Sequence, residues 1–406
     1  MVGAATGRHR EIHDMMGLLR SSQKTKGQKT KALGKNEKQS GATASPPNYA
    51  LTTKDVVIDR MTIEKEVLLK DIGRGNRFRP KDMPTLTYLE AIRQGLHEEM
   101  ERDSSVFCIG EDIGVYGGAF RVTEGLIERF GAERVIDTPI SEMAFVNAAF
   151  GASLTGLRPV VEFQFMDFIS CAFNQIVNML AKAHYRWNVA APVVLRGPSG
   201  GGVHGGPFHS QNPEAFFAHV PGLKVVCPAT AYAAKGLIKS AIRDNNPVCF
   251  FEHKFLYRRV KEELPPEDYT VPIGKARTVR DGRHISVITY AAMLYVALEA
   301  AEILAREGIE LEVVDLRTLL PLDREAIAAT VRKTNRVIVL HEDTKTGGIA
   351  GEIAACINED AFDSLDAPIT RIAARDTPTP FSPPLEHAYL PSVEDVVREA
   401  RKLKRY

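Results

Sequence analysis

From residue 85 onward, helical and strand spacings of apolar residues take turns along the chain. Residues 88–102 predict an amphipathic helix, and Val106-Phe107-Cys108-Ile109, a short continuous apolar run, predicts a buried strand. A glycine-rich loop over 110–118 follows. A helix then opens at Glu142, with Ser141 as its cap, Asn147 to Leu154 as its continuation and Gly156 as its stop. Next come a strand at 159–164, a long helix from about 168 to 185, a strand at 193–195 and a second glycine-rich loop. A strand at 225–226, a helix at 231–243 and a strand at 248–251 complete the first unit. Strands separated by helices of this length predict an α/β fold with a parallel sheet covered on both faces.

Residues 261–272, rich in Glu and Pro, predict a linker. A second α/β unit over 273–406 follows, with strands near 285–289, 312–315 and 337–340 and helices near 297–307, 325–333 and 348–358. The proline-rich stretch 376–384 predicts extended surface, and 393–402 a closing helix. Residues 1–83 differ from all of this. Lys24, Lys26, Lys29, Lys31, Lys35 and Lys38 stand among Ser, Thr, Gln and Gly, the composition of a solvated basic arm, with one short helix near 56–72. An organellar transit peptide is the alternative reading; Glu11, Asp14, Glu37 and the preference for Lys over Arg weaken it.

At 406 residues the chain has room for two or three domains. A formal net charge of +1 argues against nucleic-acid binding, which depends on concentrated positive charge. No apolar run approaches the roughly 18–20 residues that cross a bilayer. Cys108, Cys171, Cys227, Cys249 and Cys356 are odd in number, scattered and never in a Cys-x-x-Cys pair. That pattern points to reduced thiols in a cytoplasmic compartment rather than to disulfides or zinc.

Two motifs mislead. Gly200-Gly201-Gly202-Val203-His204-Gly205 matches the dinucleotide fingerprint, yet such a loop must open directly into a helix with an acid about 20 residues on for the ribose. Here Gly206-Pro207 intervenes, and the strand at 225–226 offers no carboxylate. Gly197-Pro198-Ser199-Gly200-Gly201 matches the nucleophile elbow of serine hydrolases, with Asp323 and His341 as conceivable partners. The helix that an elbow requires after the serine is missing, because the following residues are mostly glycine.

The candidate chemistry centres on Asp137-Thr138-Pro139-Ile140-Ser141-Glu142-Met143-Ala144-Phe145. Two effects compete over the proton of Glu142. The helix dipole favours the carboxylate by roughly 0.3–1 kcal/mol, whereas burial among Ile140, Met143 and Phe145 favours the neutral acid. If burial prevails, Glu142 can donate to a buried ring nitrogen; otherwise it is an ordinary first-turn acid. His209, at the end of the second glycine-rich loop, can reach a ligand bound at the strand ends, and His204 is a second candidate. A surface or hydrogen-bonding role is the other reading of such a histidine. Gln164, Phe165 and Phe168 offer a flat apolar surface with one amide; plain core packing is the alternative.

Gly110-Glu111-Asp112, Asp137 to Glu142, Gly156-Leu157-Arg158-Pro159, His209-Ser210-Gln211 and Lys235-Gly236-Leu237 occur in one order. So do Asp315 to Pro321 and Asp376-Thr377-Pro378. Together they resemble the beta subunits of thiamine-diphosphate-dependent 2-oxo acid dehydrogenases, over residues 85–402. The resemblance implies a pyrimidine-binding domain over 84–260 and a transketolase C-terminal-like domain over 273–406. It implies that Glu142 hydrogen-bonds the aminopyrimidine ring of thiamine diphosphate and promotes the imino tautomer that deprotonates the thiazolium carbon. Glu111 then matches a second glutamate near the cofactor, and Ile140, Gln164 and Phe168 match residues around the ring. At the last of these, branched-chain relatives can carry Tyr. His209 matches a histidine that assists proton transfer as the acyl group passes to lipoyl.

The same resemblance implies a structural potassium ion at Val193, Val194, Ala241, Asp244 and Asn246. It also implies a Mg2+ anchor for the diphosphate through Gly-Asp-Gly, a motif this chain lacks. The expected partners are therefore an alpha subunit, in an α2β2 tetramer with cofactor sites at the α/β interfaces, and a lipoyl-bearing acyltransferase core. The expected reaction is oxidative decarboxylation of a 2-oxo acid. The run from His209 to Gly222 favours branched-chain substrates over pyruvate or acetoin. A paralogue that only scaffolds the core is an alternative of a different class, and the mitochondrial matrix is an alternative compartment.

Overall fold

The computed structural model describes residues 83–406, so nearly all of the expected basic arm, including the helix near 56–72, lies outside the described residues. The strands are β1 (Thr85–Thr87), β2 (Val106–Gly110), β3 (Val135–Asp137), β4 (Arg158–Glu162), β5 (Val194–Ser199), β6 (Lys224–Val226) and β7 (Val248–His253). They continue with β8 (Lys261–Glu263), β9 (Arg277–Arg280), β10 (Ile285–Thr289), β11 (Leu311–Asp315), β12 (Thr318–Leu320), β13 (Val337–Thr344) and β14 (Thr370–Ala374). The first large sheet has the order β12-β6-β7-β5-β4-β2-β3, and the second β14-β13-β10-β11-β9. Every pairing in the first sheet is parallel except β12 against β6, and every pairing in the second except β9 against β11.

Strands β2, β5 and β7 are buried at every residue, as a parallel sheet packed on both faces demands. Alternation divides the core. Cys108, Val160, Val194 and Phe250 join the helices Tyr88–Arg102 and Ala231–Arg243 on one face. Phe107, Ile109, Val161, Leu195 and Phe251 join the helix Glu142–Ser153 and the segment after β4 on the other. The helix Tyr88–Arg102 starts in a capping box, in which Glu90 N–H donates to Thr87 Oγ1 at 3.1 Å and Thr87 N–H to Glu90 Oε2 at 2.8 Å. It lies close to Ala231–Arg243 because Gly95 has no side chain: a Cβ there would stand 2.6 Å from Ile238 Cγ2.

The structure departs from the sequence expectations in four places. The long helix expected over 168–185 is broken into a 3₁₀ turn Met166–Ala172, a π segment Gln175–Leu180 and a short α-helix Ala183–Trp187. Apolar residues recur throughout the span, and 3₁₀, α and π turns differ too little in spacing for the pattern alone to reveal the change of pitch. The stretch expected as linker opens with β8, which pairs antiparallel with β1. The stretch 376–384, expected to be extended, gives way at its last two residues to the helix Pro383–Tyr389, with proline at its tolerated first positions. Finally, β12 returns from the second unit to extend the first sheet, joining the two lobes. Among the described residues no helix is long and apolar enough to cross a membrane.

Candidate functional site

In the first sheet β3 and β4 lie on opposite sides of β2, so the chain reverses its direction of winding between β2 and β4. The crevice beyond the carboxyl ends of strands at such a reversal is where open α/β sheets receive ligands, because the loops there diverge and leave room. Glu111 and Asp112 follow β2, Glu142 comes a short turn after β3, Gln164 and Phe168 follow β4, and the loop carrying His209 follows β5. The sequence-predicted candidates thus come together at one rim. Gln164 Nε2 donates to Asp112 Oδ2 at 2.9 Å across the reversal.

Glu142 opens its helix half-buried. Ser141 stands at the N-cap without capping it: its hydroxyl donates to the Pro139 carbonyl at 3.0 Å, and no side-chain cap bond forms. The apolar surround expected for Glu142 is also incomplete. Phe145 is buried, but Ile140 is 82% exposed and Met143 54% exposed, so this chain alone does not furnish the desolvation. Glu111, by contrast, is buried, and its Oε1 has no hydrogen-bond partner among the described residues. Its acidity is weakened first by that burial and then by the charge of Glu142, while the Ser141 N–H pulls the other way. The exposed thiol of Cys171 sits in the same field: burial of the sulfur, then Glu142 and Glu111, push its pKa up.

His209 meets two aromatic rings edge to face. Its ring centroid lies 4.6 Å from Phe165 at 83° and 5.6 Å from Phe168 at 86°. Both arrangements put ring edges against π faces. His204 does not join this group. It turns away with a positive φ of 61°, and its Nδ1 lies 2.6 Å from Glu386 Oε2.

Two features had no sequence signal. Arg196 of β5 is buried between Glu162 of β4 and Glu252 of β7, bonding both, and Tyr257 Oη donates to Glu252 Oε2 at 2.7 Å. Alternation marks these positions as inward-facing, but charged residues in interior positions carry no periodic cue to their partners. Beyond β7, Lys254 is buried; its amine donates to the Gly200 carbonyl, and burial lowers its pKa to about 8.

Val193, Val194, Ala241, Asp244 and Asn246 gather where Ala231–Arg243 ends and β5 and β7 begin. Val193 O accepts from Val248 N–H at 3.0 Å and Ala241 O from Asp244 N–H at 3.3 Å. Asp244 takes Lys224 and Asn246 N–H on its carboxylate and Arg158 on its carbonyl at 3.0 Å. The elbow motif dissolves in three dimensions. Ser199 is buried in β5 with its hydroxyl toward Glu252 O at 3.4 Å, Asp323 caps the helix Arg324–Thr334, and neither ring nitrogen of His341 has a partner among the described residues.

Comparison with known proteins gives two family models, "Transketolase, pyrimidine binding domain" over residues 84–260 and "Transketolase, C-terminal domain" over 274–396. The 2-oxoisovalerate dehydrogenase subunit beta of Bacillus subtilis is 50% identical over 327 residues, covering 80% of this chain and all of that protein. The pyruvate dehydrogenase E1 component subunit beta of the same organism is 46% identical over 325 residues, covering 79% and 99%. Among solved structures, a split gene transketolase described as an inactive beta4 tetramer superposes with a TM-score of 0.66 at 23% identity, over 79% of this chain and 98% of that one. That last likeness speaks to the fold alone.

Proposed function

This chain belongs to the family of E1 beta subunits of thiamine-diphosphate-dependent 2-oxo acid dehydrogenases, and from that premise we propose that it acts on branched-chain 2-oxo acids. The 50% identity to the 2-oxoisovalerate subunit against 46% to the pyruvate subunit supports that choice, as does the run from His209 to Gly222. The observation that carries the site is the placement of Glu111 and Glu142 after adjacent strands at the reversal of the sheet, where the charge of one bears on the other.

When bound, thiamine diphosphate supplies a nucleophilic ring carbon and an electron sink for the loss of CO2. The residues present suit its aminopyrimidine ring: Glu142 is accessible, Glu111 has a free carboxyl oxygen, and the Phe168 ring offers an apolar surface. Glu142 would hold the ring through its carboxyl, Ile140 and Phe168 would flank it, and Gln164 would orient the Asp112 side. Glu111 keeps a proton more tightly than an ordinary glutamate and so serves as a reservoir beside Glu142. His209 moves a proton as the acyl group passes to lipoyl on the acyltransferase core. With Phe in place of Tyr at 168, it offers no hydroxyl to a ligand.

The diphosphate needs Mg2+, and with no Gly-Asp-Gly in this chain we assign those ligands to an alpha subunit in an α2β2 assembly. The exposed Ile140 and Met143 at the rim are the surface such a subunit would cover. Potassium is assigned to the turn at Val193, Val194, Ala241, Asp244 and Asn246, where the helix Ala231–Arg243 ends and its dipole favours a cation. The chain divides in this reading into an arm over 1–83, a pyrimidine-binding domain over 84–260, a connection over 261–272 and a C-terminal domain over 273–406. Its compartment is the cytoplasm, in keeping with five free cysteines, with the mitochondrial matrix as the alternative.

The test is co-expression with the alpha-type subunit and assay of 3-methyl-2-oxobutanoate against pyruvate, with lipoyl domain as acceptor. The expected result is turnover of the assembled enzyme with a preference for the branched acid, and none by this chain alone. A preference for pyruvate would overturn the substrate assignment; turnover by the isolated chain would overturn the need for an alpha subunit.

A further inference from the structure

The loop between β5 and the helix Glu214–Ala218 is closed on itself and held from the other lobe. Gly200 N–H donates to Gln211 O at 2.9 Å and closes the ring. Glu342 of β13 then spans both ends of it: Oε1 accepts from Gly201 N–H at 2.6 Å and Asn212 Nδ2 at 3.0 Å, and Oε2 pairs with His253 Nε2 at 2.8 Å. Glu386, in the helix Pro383–Tyr389, takes the middle. It accepts from Gly202 N–H at 3.1 Å and from His204 N–H at 3.2 Å, besides its contact with His204 Nδ1 at 2.6 Å. Both carboxylates are buried. The path is one that ordinary residues resist: φ is positive at Gly200, Gly202, His204 and Gly206, and a Cβ on Gly200 would stand 2.1 Å from His253 Nε2. Such a conformation persists only where the surroundings over-determine it.

His209 lies within this ring, three residues before Asn212, and reaches the rim through its contacts with Phe165 and Phe168. We propose that Glu342 and Glu386, both supplied by the second lobe, are positioning residues that clamp the loop and so set where His209 stands during acyl transfer. The proposal rests on the role assigned to His209. It gives the second lobe a part in the chemistry although none of its carboxylates need touch the substrate. Burial opposes the charge on Glu342, but the pairing with His253 and the donors from Gly201 and Asn212 outweigh it and lower its pKa to about 2, so Glu342 is charged throughout the working range.

The experiment uses the reconstituted α/β enzyme with E342Q, E386Q, E386A and H209A. Two activities are read: decarboxylation with ferricyanide as electron acceptor, and reductive acylation of a lipoyl domain. Hydrogen exchange of the peptide covering 200–211 is followed alongside. In E386A we expect faster exchange in that peptide and a loss of acylation approaching 100-fold, the effect of displacing a reacting group by about 1 Å, with decarboxylation near wild type; E342Q, whose amide still accepts from Gly201 N–H, shifts both in the same direction by less. E386Q keeps an acceptor for Gly202 N–H and should lose less than E386A. E386Q also provides the reading should E342Q fail to fold. Unchanged exchange in folded variants overturns the clamp, and so does a loosened loop with normal acylation while H209A is impaired. Normal acylation by H209A overturns the His209 reading and the positioning role with it, a failure told apart from the first because exchange still rises.

Discussion

Glu111 and Glu142 come after different strands to the same end of the sheet, within range of each other's charge: after burial, the charge of Glu142 is the next cause that weakens the acidity of Glu111. The thiol of Cys171 feels both charges. These three groups make the electrostatics of the rim measurable on the isolated chain.

Glu142→Gln removes one negative charge from that field. The Cys171 thiol should then ionise more easily and react faster with iodoacetamide, since the thiolate is the nucleophile. A fall of half a pKa unit corresponds to about a threefold rise in rate. Cys108, Cys227, Cys249 and Cys356 are buried and should stay unlabelled, so peptide mass spectrometry can follow Cys171 alone. An unaltered alkylation rate would remove Glu142 from the neighbourhood.

In the assembled enzyme the same substitution tests function. The amide can neither hold nor deliver the proton, and general acid–base groups are worth about 10²–10⁴-fold. Turnover of Glu142→Gln should fall by at least that range while assembly with the alpha subunit, followed by size-exclusion chromatography, is retained. Wild-type turnover would favour the scaffolding alternative.

Arg196 should be far more costly to lose than its carboxylate partners together with it. Arg196→Met leaves Glu162 and Glu252 buried side by side without their cation, a change of about 3–5 kcal/mol against folding. Adding Glu162→Gln and Glu252→Gln should recover part of it, because the uncompensated charges are gone. Urea denaturation of the single and triple variants measures both; equal stability of wild type and Arg196→Met would show that the buried triad carries little weight.

The second lobe contains a pH-sensitive tie to the first. Tyr290 Oη donates to Glu214 Oε1 at 2.8 Å, and burial, then the charge of Asp343, raise the Glu214 pKa from 4.5 to about 8. A carboxyl whose folded pKa lies above its unfolded value stabilises the fold fully below about pH 4.5, and that contribution disappears as pH rises through about 8. Asp343, raised to about 6 chiefly by burial, works in the same direction. Glu342 works in the opposite sense, its contribution disappearing only as pH falls from 4.5 toward about 2. Melting temperature should therefore decline between pH 5 and 8 in the wild type and decline less in Glu214→Gln. Parallel curves for the two proteins would contradict the assignment.

How far each of these features could be read in advance depended on the range of the interaction behind it. The helices 88–102 and 231–243 follow the spacing of their apolar residues, and the alternation of buried strands with helices announced a parallel sheet. The absence of Gly-Asp-Gly was likewise plain in the residues themselves. Local periodicity reports which face of an element is buried. It does not report pitch, which is why the spacing predicts one helix after β4 where the structure has three of different kinds.

The amino-acid sequence by itself determined the order of elements, the faces they bury and the candidate residues that collect at the ends of the strands, because each follows from side-chain spacing over a few turns. Tertiary structure alone decided that Ile140 and Met143 remain uncovered, that Arg196 finds two carboxylates, and that Glu342 and Glu386 reach back to Gly201 and Gly202. Those last contacts join residues 141 and 184 positions apart. A buried carboxylate must find donors wherever the packing of two lobes brings them, and no local pattern of hydrophobic and polar residues encodes a bond over that distance.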